Sequence, residues 1–516
     1  MIGRAMPLSQ YRKEHLDAAT AERLIRELVV PGSASHLMRA RWFGDKGRAI
    51  AAIGTVDLAI VQRGEDWLAL TVVAVSFADR SGDAWYFVPY AIVAEPGETI
   101  SSLLTLSTAE GVHSVVDALA LPSFATWLLE QQARDHALPA SRGRFHWNRF
   151  TDPNETLRQA IGASPRLGSV EQSNSSVTFG ERVFVKVFRR LRPGIQPDEE
   201  IGRFLAEKTD YRHFPAPLGV MAYTPAGGPA YSVSLAQRFV PNHGDGWAVT
   251  LQSLADLVAS SQDRSRCQAL LRSQAEVMAQ LGRRTGEFHL ALASGVADPA
   301  FDPSVIAADE IEVWQELALE TVQTTLAALL ARRDELPPSV AALVDRFDNQ
   351  AAELSARIAA IRRLEGFATI RVHGDFHLGQ VIRTIENGWS LLDFEGEPAR
   401  TIDERRAKAS VLKDLAGMTR SFSYARGAAL KSISPNQMTE EIEQDLATWE
   451  ANAREAFLSA YRSIVRSAPV RLVPAEISAF DAVLLAWEID KALYEIAYEL
   501  NNRPTWLDLP LQSLLA

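Results

Sequence analysis

Residues 371–400 read RVHGDFHLGQVIRTIENGWSLLDFEGEPAR, and two apolar runs here each end on acids that packing alone would not select. The run 368–372 leads into His373-Gly374-Asp375, and 389–392 leads into Asp393-Phe394-Glu395-Gly396. Between them Asn387-Gly388 is a strong two-residue hairpin signal. A turn there pairs 381–386 with 389–393, so that Gln380 and Asp393 meet at the open end of the ribbon, with Asp375 close by in sequence. Carboxylates brought this close repel unless a cation neutralises them, and an all-oxygen set suits a hard ion such as Mg²⁺. In phosphoryl transfer one Asp takes the proton of the acceptor hydroxyl, while an amide and a second Asp hold the metal on the nucleotide. The spacing H-x-D-x4-(N/Q), followed by D-F-(G/E), points to that chemistry.

The rest of the chain sets limits on this reading. A length of 516 residues with 47% hydrophobic content predicts two or three domains with sizeable cores. The formal charge of -11, with 53 basic and 64 acidic residues and no basic stripe, argues against nucleic acid or an anionic membrane as partner. Cys267 is the single cysteine, so an internal disulfide and a thiolate zinc site are both excluded. A reducing cytoplasm is the expected compartment. The opening MIGRAMPLSQYRKEH lacks a secretory apolar core, and no run approaches the length of a membrane span.

In chain order, a helix is predicted over 16–30, and short alternating runs at 53–61, 67–75 and 85–92 predict an antiparallel sheet. The segment RWFGDKGR at 41–48 reads as a loop anchored by buried aromatics, or as a contact surface for the catalytic part. A more helical stretch is predicted over 111–137. A second β-rich block spans 167–240, in which residues 169–178 form a strand, a polar turn and a strand. The third strand of that block, RVFVKVF at 182–188, carries Lys186 on an apolar alternation. Lysine in mid-strand needs an anion, and Glu200 in the next helical run is the predicted partner, with nucleotide phosphates also in reach. The turn lacks a Gly-rich G-x-G-x-x-G, so phosphate contacts fall to Ser173, Asn174 and Ser175 through hydroxyl and backbone N–H groups. Where the strand 231–240 leaves the small sheet, Gln237, Phe239 and Val240 are expected to hold adenine through their backbone.

Helices are predicted over 250–260, 265–292, 307–333 and 339–364, with His289 as a packed histidine. Asp414 is expected near the start of a further helix, and 432–439 as a surface loop. In the last helix Trp487, Lys491, Tyr494 and Tyr498 share one face. Such a stripe reads as core packing or as a ligand platform; interleaved there are carboxylates and amides, the mixture of ring stacking and hydrogen bonding by which sugars are held. The acceptor is expected to be bound by His373, Arg420, Tyr424, Trp487, Glu488, Asp490, Tyr494, Glu495 and Trp506.

Five blocks carry a family resemblance: RWFGDKGR, HGDFHLGQVIRT, LLDFEGEPA, DLAGMTRSFSYA and EIDKALYEIAYELNNRPTWL. Together they resemble the maltokinases, sugar kinases of the aminoglycoside-phosphotransferase-like branch. The resemblance implies an α+β, protein-kinase-like bilobal fold with an N-terminal β-rich cap. The expected division is a cap over 1–110, an intermediate segment and nucleotide lobe over 111–240, and a helical acceptor lobe over 241–516. It implies ATP and Mg²⁺ as cofactors and transfer of the γ-phosphoryl to the anomeric hydroxyl of maltose, giving maltose 1-phosphate for α-glucan synthesis. By position, Asp375 becomes the base, Gln380 and Asp393 the metal ligands with Glu395 assisting, Lys186 the phosphate lysine and Glu200 its helix partner.

Two departures qualify the match. Gln380 replaces the Asn of most relatives of the fold, in agreement with the maltokinase form HLGQV. Ser423 stands where many maltokinases carry an acid. Related enzymes phosphorylate glucosamine, and the last helix's carboxylates suit an amine equally well. A catalytically silent module is the remaining alternative, against which stands the retention of Lys186, Asp375 and Asp393 together. The partners expected are a sugar and ATP, with a monomer favoured.

Overall fold

The computed structural model describes residues 15–80, 82–94, 97, 99–152, 155–168, 174–398 and 400–515. It divides into two compact units, Met1–Glu200 with Pro215–Val240, and Ile201–Phe214 with Pro241–Ala516.

The first unit opens with helices α1 (Ala18–Leu24) and α2 (Ala34–Arg39), followed by strands β1 (Ile50–Arg63), β2 (Asp66–Phe77), β3 (Ala84–Phe87), β4 (Tyr90–Val93), β5 (Leu104–Thr108) and β6 (Gly111–Asp117). Strand β2 is buried along nearly its whole length because it separates two cores. Trp67, Ala69, Val73 and Val75 enter the core beneath the helices. Leu68, Leu70 and Val72 enter a second core shared with the following sheet. The single strand expected at 85–92 is two strands, broken at Val88-Pro89, where proline has no N–H to continue a ladder. The predicted helical stretch from Gly111 likewise begins as strand β6, and helix α3 (Pro122–Arg134) starts only after it, with proline at its first position.

The second sheet of this unit has the order β7-β8-β13-β14-β11-β10-β9. Its strands are β7 (Ala137–Pro139), β8 (Gly143–Arg149), β9 (Pro165–Leu167), β10 (Asn174–Phe179), β11 (Val183–Phe188), β13 (Pro217–Pro225) and β14 (Tyr231–Arg238). Directly after β11, the short β12 (Arg190–Leu191) crosses to pair with β3, so one continuous stretch of chain belongs to both sheets. Helix α4 (Pro197–Lys208) then passes from the first unit into the second.

The RWFGDKGR loop is anchored by Trp42 and Phe43, both buried and packed against Tyr86. Its Asp45 carboxylate is also buried and accepts from the Tyr86 hydroxyl, with Arg48 Nη1 at 3.2 Å and Arg190 Nη1 at 3.3 Å. Because Arg190 lies on β12, the loop fastens the segment that joins the two sheets.

The second unit is mainly helical: α5 (Gly246–Ala259), α6 (Arg264–Leu292), α7 (Ala308–Ala331), α8 (Pro338–Ile358), α9 (Leu412–Ser432), α10 (Glu440–Val465) and α11 (Ile477–Asn502). The four helices expected at 250–260, 265–292, 307–333 and 339–364 correspond to α5 to α8 within a few residues. Helices α6 and α10 approach closely because Gly282 and Gly286 lack side chains. A Cβ at Gly282 would lie 2.1 Å from the Phe457 carbonyl oxygen. A three-stranded sheet of β15 (Asn242–Asp245), β18 (Val381–Thr384) and β19 (Trp389–Leu391) sits among them, and β16 (Ser304–Val305) pairs with β17 (Ala368–Thr369). Among the described residues no helix is long and apolar enough to cross a membrane.

Replacing Asp45 with alanine removes the acceptor shared by Tyr86, Arg48 and Arg190 and leaves the buried Tyr86 hydroxyl without it. We expect a loss of about 1–3 kcal/mol in urea unfolding. Replacing the exposed Asp79, which also pairs with Arg48, should cost less than about 1 kcal/mol.

Candidate active site

The hairpin of the opening stretch is shorter than its sequence predicts. The ladder runs from Val381↔Leu391 to Arg383↔Trp389, and Thr384 N–H donates to the Gly388 carbonyl. The loop is therefore three residues, 385–387, with Asn387 rather than Gly388 in the left-handed region at φ 58°. The difference arises because Asn tolerates that conformation and the Thr384 hydroxyl caps the turn by accepting from Gly388 N–H. At the other end Leu392 N–H donates to the Gln380 carbonyl at 3.0 Å, which brings the Gln380 backbone beside that of Asp393.

Two loops carry the acids, and they meet through glycine. Gly374 has φ 84° and Gly396 φ 70°, and a Cβ on Gly374 would stand 3.2 Å from the Gly396 Cα. Asp393 is itself left-handed at φ 66°, a conformation that costs a non-glycine residue about 1 kcal/mol and persists only where its surroundings impose it. Here the next residue, Phe394, is wedged among His373, Phe288 and Phe214. The carboxylate oxygens of Asp393 and Glu395 come within 4.8 Å of each other.

The loop bearing Asp375 hangs on Asp414. That carboxylate, in the first turn of α9, is buried and accepts His373 N–H at 2.8 Å and Gly374 N–H at 2.9 Å. His289 Nε2 lies 3.1 Å from the same carboxylate, and His289 Nδ1 lies 2.9 Å from the Tyr461 hydroxyl. Burial pushes the Asp414 carboxyl up, but His289, His373 and the Gly374 N–H together outweigh it and hold the group below its ordinary value. His289 is thus buried, as expected, and is also bonded to the group that positions the loop. The His373 ring is used in the same framework, with Nε2 2.9 Å from the Leu392 carbonyl.

Asp375 itself faces Lys491 of α11, whose Nζ is 3.2 Å from Oδ1 and 3.4 Å from Glu397 Oε1. Gly379 N–H donates to His377 Nδ1, which leaves Nε2 to carry the proton, 3.9 Å from Asp375 Oδ2. Burial raises the Asp375 pKa, but Lys491, with His377 and His373, outweighs it and keeps the group below its ordinary value. The carboxylate is therefore ionised at neutral pH.

Beside this pair opens a cavity of about 540 Å³ lined by Trp247, Tyr424, Tyr494, Tyr498 and Trp506, with Asp245, His377, Lys491, Glu495, Glu499 and Arg503 among its polar walls. Of the residues expected to bind an acceptor, Tyr424, Tyr494, Glu495 and Trp506 line it. Arg420 stands behind the wall, its Nε donating to Glu495 at 3.0 Å and its Nη1 to Ser513 at 2.6 Å. Trp487 is turned away and packs edge-on against Trp314. Glu488 is held by Arg454 and Thr419, and Asp490, its pKa raised chiefly by burial, is likewise not part of the wall. The helical period put the α11 residues on neighbouring faces, and the packing of α7 and α9 on α11 decided which faces stayed open.

In the first unit Lys186 is buried on β11, opposite Ser176 and Leu235. Its Nζ is 3.3 Å from Asp198 Oδ2, two residues before the end of that unit at Glu200. Asp198 is thus an anionic partner beyond the predicted Glu200. Asn174 and Ser175 begin β10, and the Ser175 hydroxyl accepts from Arg189 Nε at 2.8 Å. Ser173 lies outside the described residues. At the end of β14, Gln237 is buried, Arg238 N–H donates to the Ala216 carbonyl and Phe239 N–H to that of Arg182, so both these amides are engaged within the sheet. Val240 is the last residue of the unit.

Residues 36–120 match the maltokinase N-terminal cap domain. The chain is 28% identical over 381 residues to a glucosamine kinase of Mycolicibacterium smegmatis, covering 74% of this chain and 86% of that one. It is 27% identical over 364 residues to a glucosamine kinase of Streptacidiphilus jiangxiensis, covering 69% and 75%. A solved glucosamine kinase in complex with glucosamine, ADP and inorganic phosphate shares the fold with a TM-score of 0.63 at 22% identity, over 94% of this chain and 97% of that one. The chain is a maltokinase-like sugar kinase. Its fold is the protein-kinase-like, aminoglycoside-phosphotransferase type with a β-rich cap, and it is an ATP-dependent phosphotransferase with a sugar hydroxyl as acceptor.

Several groups at the site of this sugar kinase escaped the sequence reading: Asp414 as anchor of the Asp375 loop, Lys491 as partner of Asp375, and Asp245, Trp247 and Arg503 as cavity walls. Lys491 alone carried a signal, a lysine inside an aromatic stripe.

Replacing Asp414 with alanine frees the Asp375 loop, and in the kinase we expect kcat to fall on the order of 100-fold in an ADP-release assay. The Asp414 contribution to stability has a definite pH dependence. Its folded pKa lies below the ordinary 3.8, so the stabilisation is complete above that value and is lost as pH falls through the folded pKa. The stability gap between wild type and Asp414→Asn should therefore close on acidification below about pH 4 in urea titrations.

Proposed function

We propose that this sugar kinase transfers the γ-phosphoryl group of ATP to the anomeric hydroxyl of maltose, forming maltose 1-phosphate for α-glucan synthesis. Asp375 accepts the hydroxyl proton as the sugar oxygen bonds to the γ-phosphorus and the bond from that phosphorus to the bridging oxygen breaks, releasing ADP. Lys186 pairs with nucleotide phosphate in this reading, Glu200 and Asp198 serve as its anionic partners, and the segment at Gln237, Phe239 and Val240 borders the adenine. The oxygen donors of Asp393 and Glu395 fit a hard divalent ion by chemistry and spacing, and the Gln380 amide is a further ligand in this reading. Mg²⁺ held there would supply charge neutralisation to the phosphates. The single cysteine and the need for ATP suit a cytoplasmic setting.

The observation that carries the choice of maltose is the match of residues 36–120 to the maltokinase cap. The open, aromatic-walled cavity supports it, since stacked rings with interleaved acids suit a carbohydrate of more than one ring. A glucosamine acceptor is the second reading, favoured by the two curated relatives.

An ADP-release assay with maltose, glucosamine and an aminoglycoside ranks these acceptors. Maltose-dependent turnover that exceeds the other two is the expected result, and preferential turnover of glucosamine would replace the first reading with the second. Asp375→Asn should abolish transfer, by at least about 1000-fold in kcat, while leaving ATP affinity within about twofold. Asp393→Ala should instead raise the Mg²⁺ concentration needed for half-maximal rate.

A further inference from the structure

The acids around the cavity are all engaged. Glu495 is held by Arg420, and Glu499 accepts from Arg503 Nε at 3.0 Å. Asp245 caps the next helix by accepting from Ala248 N–H at 2.7 Å. The two carboxylates nearest the reacting centre, Asp375 and Glu397, share Lys491 at 3.2 and 3.4 Å, and Arg400 Nε holds the other oxygen of Glu397 at 2.5 Å. Lys491 is itself part of the cavity wall, with its ammonium 4.7 Å from the centre of the Tyr494 ring. Two of its three donors are thereby directed at acids, and one remains for an acceptor's oxygen.

An acceptor amine entering this corner meets a like charge where it would need an anion, and like-charge juxtaposition is how a site rejects a wrong partner. A neutral hydroxyl meets none of this, since it can accept from Lys491 while donating to Asp375. We propose that Lys491 is the acceptor-discriminating residue of this kinase, reading a neutral hydroxyl beside Asp375 and excluding amino sugars by charge. The inference rests on the proposed assignment of Asp375 as the base. It also predicts a functional separation from the glucosamine kinases that the chain resembles.

Glucose and glucosamine make a decisive pair of probes, because they differ only by hydroxyl against amine at one carbon, and maltose completes the panel. Steady-state kcat/KM is measured for wild type, Lys491→Met and Lys491→Arg, with calorimetric affinities for glucose and glucosamine alongside. Wild type should favour the neutral sugars. Lys491→Met leaves Asp375 without its ammonium partner and open to the acceptor, while Glu397 stays paired with Arg400, so the glucosamine-to-glucose ratio should rise roughly tenfold or more, in turnover or in affinity. Lys491→Arg, which keeps the charge, should retain the wild-type ratio. A folded Lys491→Met with an unchanged ratio, or a wild type that prefers glucosamine, overturns the inference. Should Lys491→Met fail to melt cooperatively, Lys491→Gln takes its place with the same expected rise. Asp375→Asn run in parallel separates the two levels. Surviving turnover there defeats the base assignment, whereas an inactive Asp375→Asn beside an unchanged Lys491→Met ratio defeats only the role of Lys491.

Discussion

One buried carboxylate holds the loop that carries Asp375 in shape. Asp414 accepts two consecutive backbone N–H groups, those of His373 and Gly374, and is itself bonded to His289. A turn that places Gly374 at φ 84° directs its amides inward, and without an acceptor they would be buried at a cost of 1–3 kcal/mol each by the usual range. An ionised acceptor is the strongest answer to that demand. The arrangement spans distant parts of the chain, since His289 comes from α6, Tyr461 from α10 and Asp414 from α9. The close approach of α6 and α10 at Gly282 and Gly286 is what lets the ring of His289 reach both partners.

The same principle runs outward to the cavity. Ionised groups are removed from water here in bonded sets: Asp375 and Glu397 with Lys491, Glu495 with Arg420, Glu499 with Arg503. Such pairs contribute little net stability, because desolvation offsets most of the attraction. What they provide is orientation. The Asp375 carboxylate is held between Lys491 on one oxygen and His377 on the other side, so its direction is set before any sugar arrives. The aromatic rings between these pairs supply surface without adding charge.

The first unit applies the same chemistry to architecture. Asp45 gathers Tyr86, Arg48 and Arg190, and buried Asp57 accepts from the Tyr223 hydroxyl and from Arg142 N–H. Asp57 ties a strand of the first sheet to the second, and Asp45 fastens the segment that joins them. Lys186, lodged in mid-sheet, has Asp198 as an anion at 3.3 Å, so the demand raised by its position in an apolar strand is met within the unit.

Local sequence carries information about what is local. The acids at the ends of two apolar runs, the period of the helices α5 to α8, the alternation around Lys186 and the presence of a hairpin near residue 388 are all legible, because each depends on neighbours a few residues away. The break at Pro89 and the three-residue loop at 385–387 are settled by single hydrogen bonds, which periodicity does not resolve. The aromatic stripe of α11 shows the boundary well: its spacing placed Trp487 with Lys491, Tyr494 and Tyr498, yet Trp487 packs on Trp314 while the other three line a cavity. By itself the sequence determined that the chain holds acids, an amide and a mid-strand lysine of the kinds that phosphoryl transfer uses. Only the tertiary structure decided that Asp414 anchors the loop and that Lys491 occupies Asp375, because those contacts join residues 40 to more than 100 positions apart and no local pattern encodes which distant partner a charge will find.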